Sequence, residues 1–186
     1  MLRLISLVGL LIASSALYWC LGRLRHAGYA VQIGDGDGFT FKRKVFPNIR
    51  IRIAWIDTPE FMQPDGLAAR DALRQLISGK RLLLHRLDTD RYGRQVCQVW
   101  VGRRDVGLAL LEQGLAWNYP GHSPGQSWIS AHRYAKAQRK ARKERIGLWK
   151  QQAPEPPWNY RHRSWWRKSF EHFHSHIPSA SRRTTR

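Results

Sequence analysis

The chain has 186 residues, with 32 Lys and Arg against 13 Asp and Glu and a formal net charge of +19. That length suits one domain with extensions, and 42% hydrophobic residues are enough to pack a core, which excludes a wholly disordered chain. The charge calls for a polyanionic partner, either nucleic acid or an anionic membrane surface, and the two cysteines exclude a disulfide framework.

In chain order, residues 4–22 come first and carry no charge. About 19 apolar residues are just enough to cross a hydrocarbon core. Arg3 precedes the run, and Arg23, Arg25 and His26 follow it. A small-residue cleavage pattern appears only beyond that basic cluster, which favours an uncleaved single-span anchor over a signal peptide. Residues 29–64 read as strands: 29–33, a turn at 34–38, then 39–46 and 49–56, the last alternating around Arg50 and Arg52. Residues 65–78 have apolar positions at 69, 72, 73, 76 and 77, which is helical spacing, and Gly79 ends the run. Strands follow at 82–87 and 94–101. Asp105 is placed to cap a short helix, 106–113, that Gly114 ends.

A strongly basic helix is expected over 128–147, with Ala135, Ala141 and Ile146 inward, and Trp55 and Trp149 are expected to pack in the core. Its basic face suits either a track for a phosphate backbone or an ordinary solvated surface. Residues 119–126 form a polar loop, either a lip that stacks bases or a surface turn. The proline-rich stretch 153–158 opens a basic, aromatic tail, 151–186, expected to lie on a surface or to be disordered. In the tail, Trp165 and Trp166 suit a membrane interface or base stacking, while His172, His174 and His176 have nothing nearby to hold them as a metal site. Strands, a helix, two more strands and further helices make the chain α+β. A small closed sheet with helices around it fits, and an OB-type barrel is one such fold.

Six of the 13 acids fall in three short loops, each after a strand: Asp35 and Asp37, Asp57 and Glu60, Asp88 and Asp90. Turns favour aspartate for local hydrogen bonding, but that explains one loop better than three with Arg52 and Arg94 nearby. A hard divalent cation takes carboxylate and carbonyl oxygens, and Asp37 and Asp57 lie at different strand ends that can converge on one ion. Guanidinium groups stabilise charge on a phosphoryl group, and Glu60 is suited to orienting or deprotonating water. Together these are the parts of a metal-assisted phosphodiesterase.

The motifs DGDG at 35–38, RIAWIDTPE at 52–60, DRYGR at 90–94 and QGLAW at 113–117 resemble, in order and spacing, the staphylococcal nuclease (thermonuclease) family. The resemblance covers residues 29–150. It implies a five-stranded OB-fold-type barrel with about three helices, preceded here by the N-terminal hydrophobic helix. It also implies Ca2+-dependent hydrolysis of DNA and RNA, single strands preferred, by a monomer. Asp37 and Asp57 then supply carboxylates to the ion and Thr58 its backbone carbonyl. Glu60 acts on the attacking water, and Arg52 and Arg94 bind the scissile phosphate. Arg91, Tyr92, Trp117 and Tyr119 match the nucleotide-binding region, the last two loosely because the loop differs. One departure stands out: the family has threonine directly after Asp-Gly-Asp, where this chain has Gly38. The expectation is a membrane-tethered or exported nuclease with its domain extracytoplasmic. The rival is a tethered OB-fold module that binds nucleic acid without cutting it.

Overall fold

A computed structural model describes residues 26–43, 46–119 and 125–163. The anchor expected at 4–22, most of the loop at 119–126, and the histidines and tryptophans beyond residue 163 lie outside these. Among the described residues no helix is long and apolar enough to cross a membrane.

The strands are β1 (His26–Ile33), β2 (Gly38–Lys42), β3 (Ile49–Ile53), β4 (Ile56–Asp57), β5 (Leu82–Thr89), β6 (Gln95–Val101), β7 (Arg104–Asp105) and β8 (Trp117–Asn118). The helices are α1 (Gly66–Ile77), α2 (Val106–Glu112) and α3 (Trp128–Lys143), with a 3-10 turn at Gly147–Lys150. Residues 157–163 are also helical and are labelled α4. The main sheet runs β3-β2-β1-β5-β6-β7, and β4 pairs with β8 in a small second sheet. Beside its antiparallel bond to β2, β3 pairs in parallel with β6, Ile51 to Gln95 and Ile53 to Cys97. The pairings of five strands therefore return to their start. The α+β expectation holds, with one helix more than expected among the described residues.

Strand alternation decides which side chains fill the interior. Phe41, Ile51, Ile53, Leu82, Leu84 and Val99 are buried from the strands. On α1 the buried residues are Gly66, Ala69, Ala72, Leu73, Leu76 and Ile77, which includes all five apolar positions read from the spacing. Asp105 caps α2 by accepting from the Leu108 amide at 3.1 Å. It also accepts from the Tyr134 hydroxyl at 2.8 Å and from Gln98 Nε2 at 2.7 Å, so one carboxylate ties α2, α3 and β6 together. Tyr134, Ala137 and Ala141 form the buried face of α3, in place of the expected Ala135 and Ile146. Ala141 is buried as expected, and the helix ends at Lys143, so Ile146 lies past it and packs, partly buried, against a second small core with Trp117 and Trp149.

The stretch expected as one strand over 49–56 breaks at Ala54–Trp55. Trp55 takes φ of 62°, a left-handed conformation that costs a bulky residue about 1–3 kcal/mol. Its ring packs edge-on against Tyr134 at 5.9 Å in the core. The break frees Ile56–Asp57 to pair with Trp117–Asn118.

The packed structure also continues from residue 150 to residue 163, so the first part of the tail lies on the domain surface, the first of its two expected states. Gln63 Nε2 donates to the Glu155 carbonyl at 2.6 Å, Tyr160 donates to the Met62 carbonyl at 3.2 Å, and Gln151 donates to Asp65. Trp158 stacks on Tyr119, with ring centroids 4.9 Å apart and planes 22° apart. Residues 151–163 are thus fastened to the loop that follows Asp57.

Candidate active site

Two of the three acidic loops bring their carboxylates together. The first is the turn between β1 and β2. Its glycines are required by close approach: a side chain at 36 would put its first carbon 2.7 Å from Thr58 Oγ1, and one at 38 would put it 2.6 Å from Asp35 Oδ1. The turn therefore lies directly against the second loop. In this chain the space beside residue 38 holds the Asp35 carboxylate, which accepts weakly from the Asp37 amide at 3.3 Å.

Arg52 joins the two loops. Strand alternation sends Ile51 and Ile53 into the core and Arg52 to the opposite face, where it is still buried. Its two terminal nitrogens reach Asp37 Oδ2 at 2.8 Å and Asp57 Oδ1 at 3.0 Å. Both acids are buried, Asp57 completely. A guanidinium forked between two carboxylates in a dry site gives strong, directional hydrogen bonds, and removing one partner typically costs about 3–5 kcal/mol. Burial nevertheless pushes the Asp37 carboxyl well above the usual range. Arg52 opposes that shift, while the charges of Asp35 and Asp57 add to it. Arg94 opposes it as well, so the nearby guanidiniums only partly offset the burial of Asp37.

Asp57 and Glu60 share a second guanidinium that the sequence reading did not single out. Arg161, on α4, reaches Asp57 Oδ2 at 2.7 Å and Glu60 Oε1 at 2.7 Å, with a further bond from Nη1 to Asp57 Oδ1 at 3.2 Å. Burial works against the Arg161 charge, but the hydrogen bonds to Asp57 and Glu60 outweigh it and raise its pKa further.

The third acidic loop does something else. Asp90 accepts from the amides of Tyr92 and Arg94, both at 2.9 Å, and from Arg94 Nε at 2.7 Å. Its carboxylate builds a turn and orients an arginine, which is the local role that turn aspartates take. Partial burial acts to raise the Asp90 pKa, but these bonds from Arg94 and Tyr92 prevail and lower it. Arg50 donates to the Tyr92 carbonyl at 2.6 Å and pins the same turn to β3.

These groups open onto a cleft of about 690 Å3 lined by Asp37, Arg52, Thr58, Glu60, Arg91, Tyr92, Arg94 and Tyr119, and also by Asp35, Arg50, Trp158 and Arg161. Eight of the ten expected site residues line it. Asp57 lies beneath, hydrogen-bonded to Arg52 and Arg161. Trp117 does not line it. It packs with Trp149 at 4.5 Å under Arg142 and edges against Trp158 at 5.5 Å, in a small second core. The strand β8 ends at Asn118, and Tyr119 just beyond it donates its amide to the Trp55 carbonyl at 2.8 Å and lines the cleft. Arginines outnumber acids on the cleft wall, so the potential favours an anion, while the buried carboxylates beneath favour a cation.

The donor set suits a hard divalent ion: carboxylates from two loops, with neighbouring backbone and water oxygens to complete the coordination. Among the described residues no three His, Cys, Asp or Glu side chains are arranged together as ligands. Trp158 and Arg161 were not singled out because nothing in the tail's composition or periodicity marked a packed helix. The one available signal was an aromatic and basic run directly after the prolines that end at Pro157.

Comparison with known proteins shows what the chain is similar to. A family model described as staphylococcal nuclease homologue matches residues 50–151, so it takes in Arg52, Asp57, Glu60 and Arg94 and begins after Asp37. An uncharacterised endonuclease of Haemophilus influenzae is 32% identical over 159 residues, covering 86% of this chain and 85% of that protein. A staphylococcal-like nuclease, CAN1, of Arabidopsis thaliana is 37% identical over 112 residues. An uncharacterised 38.1 kDa protein of Capnoides sempervirens is 36% identical over 135 residues. The chain spans about a third of the length of these two plant proteins, 33% and 37%.

Proposed function

Because the chain belongs to the staphylococcal nuclease homologue family, we propose that it is a Ca2+-dependent nuclease that hydrolyses phosphodiester bonds of DNA and RNA, prefers single strands and has little sequence specificity. The observation that carries this reading is the convergence of Asp37 and Asp57 on Arg52 in one cleft with Glu60 and Arg94. The ring of five paired strands is read as an OB-type barrel, with the cleft on its side.

Asp37 and Asp57, with the Thr58 carbonyl, are the groups that would hold Ca2+. When bound, the ion neutralises phosphate charge and lowers the pKa of coordinated water. The chain's own residues supply the remaining chemistry. Arg94, through its terminal nitrogens, and Arg52, through N–H groups not given to Asp37 and Asp57, bind the phosphoryl oxygens and stabilise charge that grows on them. Asp90 holds Arg94 ready by fixing its Nε. Glu60 orients a water for in-line attack and takes its proton at a carboxylate oxygen. Arg91 and Tyr92 bind the neighbouring nucleotide. Tyr119 and Trp158 offer a stacked aromatic pair at the cleft, worth about 1–3 kcal/mol per base when unpaired bases stack. A base held in a duplex lacks a free face for that pair, which is the physical ground for the single-strand preference.

A cleavage panel tests this reading. Single-stranded DNA, RNA and duplex DNA are incubated with Ca2+ or EDTA. Digestion of the single strands with Ca2+, abolished by EDTA and restored by added Ca2+, is expected. Binding without cleavage in Ca2+ would instead identify a nucleic-acid-binding module. Tethering through residues 4–22, with the domain extracytoplasmic, is part of the proposal. Recovery of the full-length protein in a carbonate-washed membrane fraction supports it, and recovery in the soluble fraction contradicts it.

A further inference from the structure

The fold places a guanidinium on the same acids that the proposed reaction assigns to the metal and to the water. Arg161 contacts both oxygens of Asp57, at 3.2 and 2.7 Å, and Glu60 Oε1 at 2.7 Å. Asp57 is entirely buried, so its carboxylate has no competing water shell. Arg52 takes one further bond to Oδ1. With both guanidiniums in place, Asp57 accepts three charge-assisted N–H bonds, two on Oδ1 and one on Oδ2. A divalent ion bound at Asp57 would meet the positive charge of Arg161 within the same shell of contacts, and the two repel strongly in a site screened from solvent.

Arg161 also sits on a separable piece of structure. Residues 151–163 contain Pro154, Pro156 and Pro157, and Trp158, Arg161 and His162 among them line the cleft. They are held by hydrogen bonds from Gln63 to the Glu155 carbonyl, from Tyr160 to the Met62 carbonyl and from Gln151 to Asp65, by the Trp158–Tyr119 stack, and by the edge contact of Trp158 with Trp117. These bonds go to the loop that carries Glu60. Apart from Pro157, which is buried, α4 presents only exposed or half-buried residues, so its attachment is polar and aromatic, with little apolar burial. Its Arg161 side chain is 40% exposed and has a path to solvent or to a phosphate in the cleft.

We propose that Arg161 is a positioning residue that occupies the acids Asp57 and Glu60 as an internal cation, so that a divalent ion binds only by displacing it, and that it thereby sets the ion affinity of the cleft. This inference rests on the nuclease reading for the identity of the displaced ligand. In the ion-loaded state the Arg161 guanidinium is released toward the cleft, where an incoming phosphate is its natural partner. Substrate then favours ion binding, because it stabilises the arginine in its displaced position. The internal cation also keeps Asp57 and Glu60 from repelling each other before the ion arrives.

The test measures ion binding in the full chain with no nucleic acid present. Ca2+ affinity is measured by isothermal titration for the wild type, Arg161→Ala and Arg161→Lys, and hydrogen exchange of residues 151–163 is followed with and without Ca2+. Removing the internal cation should tighten Ca2+ binding by about tenfold or more, since tenfold corresponds to roughly 1.4 kcal/mol. Arg161→Lys keeps the charge and should stay close to the wild type. Ca2+ should speed amide exchange across 157–163 in the wild type. A role in packing alone predicts unchanged or weaker ion binding in Arg161→Ala, and that result overturns the inference. Exchange slowed by Ca2+ overturns it as well. Ca2+-dependent cleavage with equal ion affinity in all three proteins removes this inference and leaves the nuclease reading standing. Absence of Ca2+ binding in all three removes both.

Discussion

Single carboxylates carry most of the architecture in this acid-poor chain. Asp105 accepts from Leu108, Tyr134 and Gln98, and so serves as a helix cap and as the buried partner of a tyrosine hydroxyl. Burial and the adjacent Asp105 push the Tyr134 hydroxyl far above its ordinary pKa, so it stays neutral and donates. Asp105→Ala is expected to cost about 2–4 kcal/mol in urea unfolding, combining a lost cap with a buried hydroxyl left without an acceptor. A cost below about 1 kcal/mol would show that water replaces the carboxylate. The capping role was legible in sequence because it needs only an aspartate before a short apolar run. The bond to Tyr134 was not, since it joins residues 29 positions apart.

Burial acts on the Cys97 thiol in the same way. Cys97 lies in β6, and burial pushes its thiol up to about 12, so it remains protonated and inert at neutral pH. Its expected reading as a strand residue outside any disulfide framework agrees with that position.

Periodicity predicted the elements well where one face is buried and the other is wet. The five apolar positions of α1 are all buried, because a 3.6-residue repeat has only one way to face a sheet. It failed at Trp55, where an apolar strand pattern runs through a left-handed break. It failed again beyond residue 150, where α4 is attached by polar bonds and an aromatic stack. Trp158 gives that element its own test. Trp158→Ala is expected to weaken single-strand binding by about 1–3 kcal/mol while leaving duplex binding and the circular dichroism spectrum unchanged. Equal losses for single strands and duplex would place Trp158 in a general supporting role. The site itself was partly legible for the same reason. Acids and arginines on strand ends can be read from sequence, but the contact between the 34–38 turn and Thr58 depends on close packing between glycines and a neighbouring loop.

The whole molecule is a strongly basic body with its acids concentrated at a few structural positions and in the cleft. The exposed Arg133, Lys136, Arg139, Lys140, Arg142, Lys143 and Arg145 on and after α3 add a surface field to the arginines of the cleft. Affinity for single-stranded DNA in Ca2+ should therefore fall linearly on a logarithmic salt scale, with a slope of about −0.7 per phosphate neutralised. Charge reversal at Lys136 and Arg139 should flatten that slope with little change in turnover. A slope unchanged by these substitutions would confine binding to the cleft.

The central claim is that two acidic turns meet across Arg52 to make a metal-assisted phosphodiesterase with Glu60 acting on water. Single-turnover cleavage of a labelled DNA strand at saturating Ca2+, wild type against Glu60→Gln, tests it most directly. The account predicts a rate lower by a factor of about 100 or more for Glu60→Gln, with strand affinity retained. A Glu60→Gln enzyme that cuts at the wild-type rate would contradict it.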